Sequence, residues 1–180
     1  MQNPKKKFTI QEVKALSNKG HSIKREDGSI LGHCIRNPLD MGFKLEIYDS
    51  QELEGLIYEI KLTNPLEDEY LFSVKKDGEE LGRLKRNVEK RLSPEIWHVM
   101  DEDDKLLCTF EQRSVKRSLL KRYVLGSIPI NYDLISDDEE IGVLTKKFSF
   151  DISTYVLRYE DSLDVNELVL ISVPLCIDNL

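Results

Sequence analysis

Apolar and polar residues alternate in short runs over most of this chain. Phe43, Leu45 and Ile47 fall on one side and Lys44 and Glu46 on the other; Tyr70, Phe72 and Val74, and later Tyr155, Leu157 and Tyr159, repeat the pattern. A period of two held over such runs marks a strand with one buried face. About twelve strands are predicted on this basis, over 21–26, 30–36, 43–49, 55–61, 70–76, 81–87, 95–101, 105–112, 120–127, 130–136, 141–148 and 154–160. Residues 1–19 read as an N-terminal tail or lead-in segment, with Lys5, Lys6 and Lys7 solvated and Phe8 to Leu16 either strand or short helix. Residues 20–180 read as a single domain.

The closing stretch breaks the pattern. Leu168, Val169, Leu170, Ile171, Val173, Leu175, Cys176 and Ile177 lie within ten residues. On a helix they cover every face, as in a helix surrounded by protein or lipid. Asp164, with Glu167 three positions on, has the form of a capping box. A helix over about 165–178 is predicted, ~21 Å long at ~1.5 Å per residue. Roughly 20 apolar residues are needed to span a bilayer, so no transmembrane span is expected. The β-branched residues of the run would also suit a buried strand. Pro174 removes a helix donor, but proline is disfavoured in a central strand too, which favours a kinked helix. About eight strands fill a barrel with their own side chains, and more leave a wider lumen. The prediction is a mainly β fold: an antiparallel closed barrel of about twelve strands around a central hydrophobic C-terminal helix.

The turns share a motif. Asp27-Gly28 followed by Leu31-Gly32 is echoed by Asp77-Gly78 followed by Leu81-Gly82, and loosely by Asp103-Asp104 with Leu107-Cys108 and by Asp137-Asp138 with Ile141-Gly142. Asp-Gly supplies the positive φ of a tight hairpin. The Gly of the returning strand suits a bulge or bend. A basic residue follows that Gly four positions on: Arg36, Arg86 and Lys146. Asn37-Pro38-Leu39 also returns as Asn64-Pro65-Leu66, a shift of 27 that aligns Phe43 with Tyr70, Leu45 with Phe72 and Gly55 with Gly82. So regular a repeat predicts stacked hairpins in one meandering sheet.

The end of the chain carries a resemblance. Ile141-Gly142, Lys146-Lys147, Phe148-Ser149, Tyr155-Val156-Leu157, Asp161 and Ile177-Asp178 fall where the LURP-one-related proteins have a strand ending in Lys-Lys, an aromatic-Ser pair, a Tyr-Val-Leu strand, an acidic turn and an apolar helix ending near Ile-Asp. The chain resembles that group of the tubby C-terminal-like superfamily, which also includes the phospholipid scramblases, over about residues 20–180. The resemblance implies a twelve-stranded barrel around a C-terminal helix. Pro174 and the stretch Leu92 to Leu125 depart from the pattern, and no Pro-rich extension or Cys cluster of the scramblase kind is present.

Composition narrows the function. A net charge of −7 gives non-specific nucleic-acid binding no global support. Cys34, Cys108 and Cys176 are far apart, which reads as reduced thiols and not as a disulfide frame or zinc site. Met1 to Lys7 run into polar sequence without the apolar core of a signal peptide, so a cytoplasmic location is expected, with any membrane contact peripheral. His21, His33 and His98 lack metal-ligand spacing and read as structural. The carboxylates of 101–104 and 137–140 lack EF-hand spacing and read as solvated hairpin tips. No nucleophile elbow or phosphate-cradling loop is found, so neither enzyme activity nor a cofactor is expected. Two basic clusters remain: Arg83, Lys85, Arg86, Lys90 and Arg91, then Arg113, Lys116 and Arg117, extended by Lys121 and Arg122. On neighbouring strands they would form a cationic patch for a phosphoinositide or other anionic lipid headgroup. The tubby branch of the superfamily is known for phosphoinositide binding. As outward strand residues they would instead serve solubility and deter edge pairing. The expected function is a non-enzymatic binding or scaffold protein for an anionic headgroup or a protein partner. The alternative is a scramblase-like, membrane-associated protein acting on phospholipids.

Overall fold

A computed structural model describes residues 5–14, 19–36, 42–66, 69–87, 94–113, 130–149 and 152–180. The strands are β1 (Lys5–Lys14), β2 (Lys19–Arg25), β3 (Ile30–Arg36), β4 (Lys44–Tyr48), β5 (Leu56–Leu66) and β6 (Glu69–Lys76). They continue as β7 (Glu79–Asn87), β8 (Ile96–Met100), β9 (Leu106–Gln112), β10 (Ile130–Ser136), β11 (Glu139–Ser149) and β12 (Ile152–Glu160). Each pairs antiparallel with the next, and β1 pairs with β12 to close a twelve-stranded barrel. The one helix among the described residues, α1, spans Glu167–Asn179.

Side-chain alternation sets the inside of the wall. Leu45 and Ile47 on β4, Phe72 and Val74 on β6, and Tyr155, Leu157 and Tyr159 on β12 are all buried. The helix lies within this ring: it contacts β1 and β12 on one side and β6, β7 and β8 on the opposite side. Leu168 to Cys176 are buried without a break, which is why the run is apolar on every face. Pro174 sits inside α1 and the helix runs on past it to Asn179. Enclosure by the wall thus overrides an intrinsic penalty of about 3 kcal/mol.

Two expectations need correction, and a third falls outside the described residues. The lead-in segment is not outside the barrel: Lys5–Lys14 forms β1, with Lys5 opposite Glu160 and Phe8 opposite Arg25. Among the described side chains of β1, Phe8 and Ile10 are buried; the strand alternative for this segment is the one found, and of its two partners β2 is next in the chain and β12 far along it. The predicted strand 120–127 lies outside the described residues, and β9 pairs directly with β10. The helix N-cap is Asn166, whose Oδ1 accepts from the Leu168 N–H at 3.0 Å, and not Asp164. Leu163 and Val165 pack against the core before the helix begins, so the first turn starts later than the capping-box pattern suggested.

The repeated Leu-Gly has a structural cause. In five hairpins the register slips by one residue just after the turn, leaving Leu31, Ile57, Leu81, Leu107 and Ile141 as the extra residues of β-bulges. Bulges bend a strand and add twist. All five lie at the mouth where α1 begins, hereafter the N-terminal mouth. After three of them comes the Gly, where the neighbouring strand passes close: a Cβ at Gly32 would lie 2.8 Å from Tyr48 O, and one at Gly82 would lie 2.6 Å from Met100 O.

Two stability outcomes follow. Leu170→Ala, which empties a fully buried site on α1, should cost about 2–5 kcal/mol in chemical denaturation. Gly82→Ala should also destabilise, because its Cβ meets backbone carbonyl and the Val169 side chain, whereas Gly78→Ser, at an exposed turn, should cost less by the same assay.

Candidate functional site

The chain meanders, so its connections alternate between two mouths. At the mouth where α1 ends, the C-terminal mouth, the inward positions of several strands turn polar. His21 lies two residues before the buried Ile23, Lys146 two after Leu144, and Tyr155 two before Leu157. All three converge on Asp178 in the last turn of α1. His21 Nε2–H donates to Asp178 Oδ2 at 2.8 Å. Lys146 Nζ and the Tyr155 hydroxyl donate to Oδ1 at 2.7 and 3.0 Å. The Lys146 ammonium lies 4.7 Å from the Tyr155 ring centroid. The side chains of His21 and Asp178 are 1% and 3% exposed, so the cluster is sealed.

Electrostatics fix its charge state. Burial alone would raise the pKa of Asp178, but hydrogen bonds from His21 and Lys146, with their positive charge, hold the carboxyl well below the usual range. Burial pushes the Tyr155 hydroxyl far up, and the Asp178 charge adds to this. The helix C-terminus carries partial negative charge, and α1 has no basic residue in its last turn. The wall supplies the cations: Lys146 as above, and Arg36, whose Nη1 donates to Asn179 O at 2.7 Å.

A second polar group lines the same mouth on the β7–β10 side. Glu95 accepts from Trp97 Nε1 at 2.9 Å and from the Tyr132 hydroxyl at 2.8 Å. Arg86 pairs with Glu95 at 2.9 Å and stacks its guanidinium 5.7 Å from the Trp97 ring centroid. Arg36, Arg86 and Lys146 are the basic residues found four positions after the repeated Gly. The hairpin repeat thus brings each to the same mouth.

The predicted cationic patch divides. Arg83 and Lys85 share the outer face of β7, while Arg86 has the inward parity of Gly82 and Leu84. Arg83 pairs with Glu80 at 2.8 Å and Asp104 at 2.7 Å, and Lys85 with Glu69 at 2.8 Å. Arg113 pairs with Asp133 at 2.5 Å and Glu140 at 2.8 Å. Each of these cations already holds carboxylates. Lys90, Arg91, Lys116 and Arg117, with Lys121 and Arg122, lie outside the described residues. Reading charges by sequence distance missed the period of two and the acidic partners on adjacent strands.

The remaining candidates fall into place without forming a reactive centre. Cys34, Cys108 and Cys176 are buried and free; burial pushes the Cys108 thiol up to about 12 and the other two higher, away from nucleophilic thiolates. The backbone N–H groups of Asp103 and Lys105 donate to Asp101 Oδ1 at 3.0 and 2.8 Å, so this carboxylate is spent on its own turn. Among the described residues, no group of three or more His, Cys, Asp or Glu is placed to hold a metal. Asp178 and Glu95 were missed because a single acid at the end of an apolar run has no local signature. The available signal was parity: a polar residue at an inward position near a strand end needs an internal partner.

No protein-family model matches the chain, and no curated protein matches it.

Asp178 makes stability depend on pH. Its carboxyl is depressed below the 3.8 of an ordinary aspartate, so the stabilisation is fully present above that value and is lost as pH falls below it. Asp178→Asn should lower stability at pH 7 by about 3–5 kcal/mol, since Lys146 and His21 lose a buried partner. It should also flatten the acid limb of a denaturation series run from about pH 6 down to about pH 2.

Proposed function

We propose that this chain is a non-enzymatic binding or scaffold protein of the tubby-like, LURP-one-related class, and that its partner is a protein held on the outside of the barrel. One observation carries this reading: the lumen is taken up by the chain's own helix, buried from Leu168 to Cys176. The outer wall and the two mouths are what a partner can reach. A twelve-stranded barrel around a C-terminal helix is also the architecture that the resemblance implies, which supports the class.

The anionic-headgroup version draws less support. To bind phosphate, Arg83, Lys85 or Arg113 would have to give up a carboxylate already within 2.8 Å. The scramblase-like version needs α1 in lipid. Withdrawing α1 from the barrel would expose its core-facing side chains, each worth roughly 1.5–3 kcal/mol when buried. Among the described residues no helix is long and apolar enough to cross a membrane.

The test is photo-crosslinking from the full chain in its native cells, with benzoylphenylalanine at Ile30, Leu56 or Leu106, which are 51%, 48% and 54% exposed. Discrete protein adducts are expected. In parallel, vesicles of phosphatidylserine with a phosphoinositide should not sediment the purified protein. Salt-sensitive sedimentation without adducts would replace the protein partner with a lipid.

A further inference from the structure

The N-terminal mouth carries a feature that the core does not explain. A groove of about 420 Å³ runs between the β8–β9 hairpin, the β10–β11 hairpin and the link from β12 into α1. Its apolar lining is Leu106, Leu107, Ile141, Leu163 and Val165. Leu107 and Ile141 are two of the five bulge residues. Ile141, Leu163 and Val165 are partly buried against the core, while Leu106 is 54% exposed. The bulges therefore bring aliphatic side chains to the rim, where water meets them.

The rim of this groove is acidic. Asp137, Glu139 and Asp164 line it, with Lys105 as the cation among them. The adjoining tips add Glu102, Asp103 and Asp138, all exposed. Exposed charges act over about one Debye length, ~8 Å in physiological salt, so Asp137, Glu139 and Asp164, which line the groove itself, are the ones a bound ligand meets. An anionic lipid or a nucleic acid would be repelled here.

We propose that this groove docks a cationic peptide segment, seating an aliphatic side chain against Leu106, Leu107 and Ile141 and placing flanking Lys or Arg against Asp137, Glu139 and Asp164. The proposal rests on the reading of this chain as a protein-binding barrel and names the place and the chemistry of the contact. A peptide cannot join this sheet by adding a strand, because β1 pairs with β12 and the ring has no open edge. Recognition then has to run through side chains in a groove, with an apolar floor for affinity and an acidic rim for charge selection.

Three fluorescein-labelled dodecapeptides test this on the full chain by anisotropy: alternating Lys and Leu, alternating Lys and Ser, and alternating Glu and Leu. The Lys/Leu peptide should bind and the Glu/Leu peptide should not. Lys/Ser should bind at least about tenfold more weakly, for want of the buried aliphatic group. Leu106→Ser should weaken Lys/Leu binding by about tenfold. The triple change Asp137→Asn, Glu139→Gln and Asp164→Asn should reduce it by a similar factor and remove its salt dependence. Asp137 lies in a turn, Asp164 in the link before α1, and Leu106 and Glu139 at the first position of a strand, and unchanged circular dichroism and melting would confirm the fold. Amide shift changes in the unmutated protein should centre on 105–107, 139–141 and 162–165. Equal binding of Lys/Ser, wild-type affinity in both variants, or shifts centred elsewhere would overturn the groove. If adducts form from Ile30 or Leu56 while the groove fails, the protein-binding reading survives without it; if only vesicles bind, that reading itself falls.

Discussion

Everything in this molecule depends on one packing constraint: a barrel of twelve strands is too wide to be filled by the side chains of its own wall. α1 fills the space, and the side chains around it close against it from opposite sides, with Phe72, Trp97 and Leu84 from one arc and Tyr155, Leu157 and Tyr159 from the other. The helix cannot be amphipathic, because it has no solvent side. The wall cannot collapse without it. Each therefore supplies the apolar surface the other needs to stay out of water, and neither is a stable element alone.

An oriented helix inside a closed wall gives the barrel two unlike ends. At the C-terminal mouth the wall brings up Arg36, Arg86, His21 and Lys146, and Asp178 carries the negative end of α1 into a sealed hydrogen-bond set. At the N-terminal mouth stand the acidic hairpin tips and the bulged rim. Acidic groups near a helix N-terminus and basic groups near its C-terminus are both favourable arrangements. The turn motif that recurs along the chain produces this polarity: its acidic residues fall at one mouth, and the basic residue four positions after its Gly falls at the other.

This geometry bears on function by deciding which groups are free. On the outer wall Arg83, Lys85 and Arg113 are tied to carboxylates, and at the C-terminal mouth His21, Lys146, Tyr155 and Arg86 are turned inward on Asp178 and Glu95. The N-terminal mouth differs in presenting exposed aliphatic and acidic groups together. A surface of that kind suits a partner that brings its own positive charge, and it is where a scaffold reading finds its strongest physical footing.

Period-two alternation and an all-apolar final run were local facts, and from them the mainly β class, most strand positions, the enclosed helix and the hairpin repeat were legible in the sequence alone. They were legible because burial imposes a periodicity that each segment carries by itself. The capping residue of α1, the membership of Lys5–Lys14 in the barrel, the pairing of Arg83, Lys85 and Arg113 with acids, and the convergence of His21, Lys146 and Tyr155 on Asp178 were decided only by the tertiary structure. The cap is set by Leu163 and Val165 packing on the core before the helix begins; each of the others joins residues far apart in the chain or depends on which strand lies next to which. Ring closure and register set those distances, and no single segment encodes them.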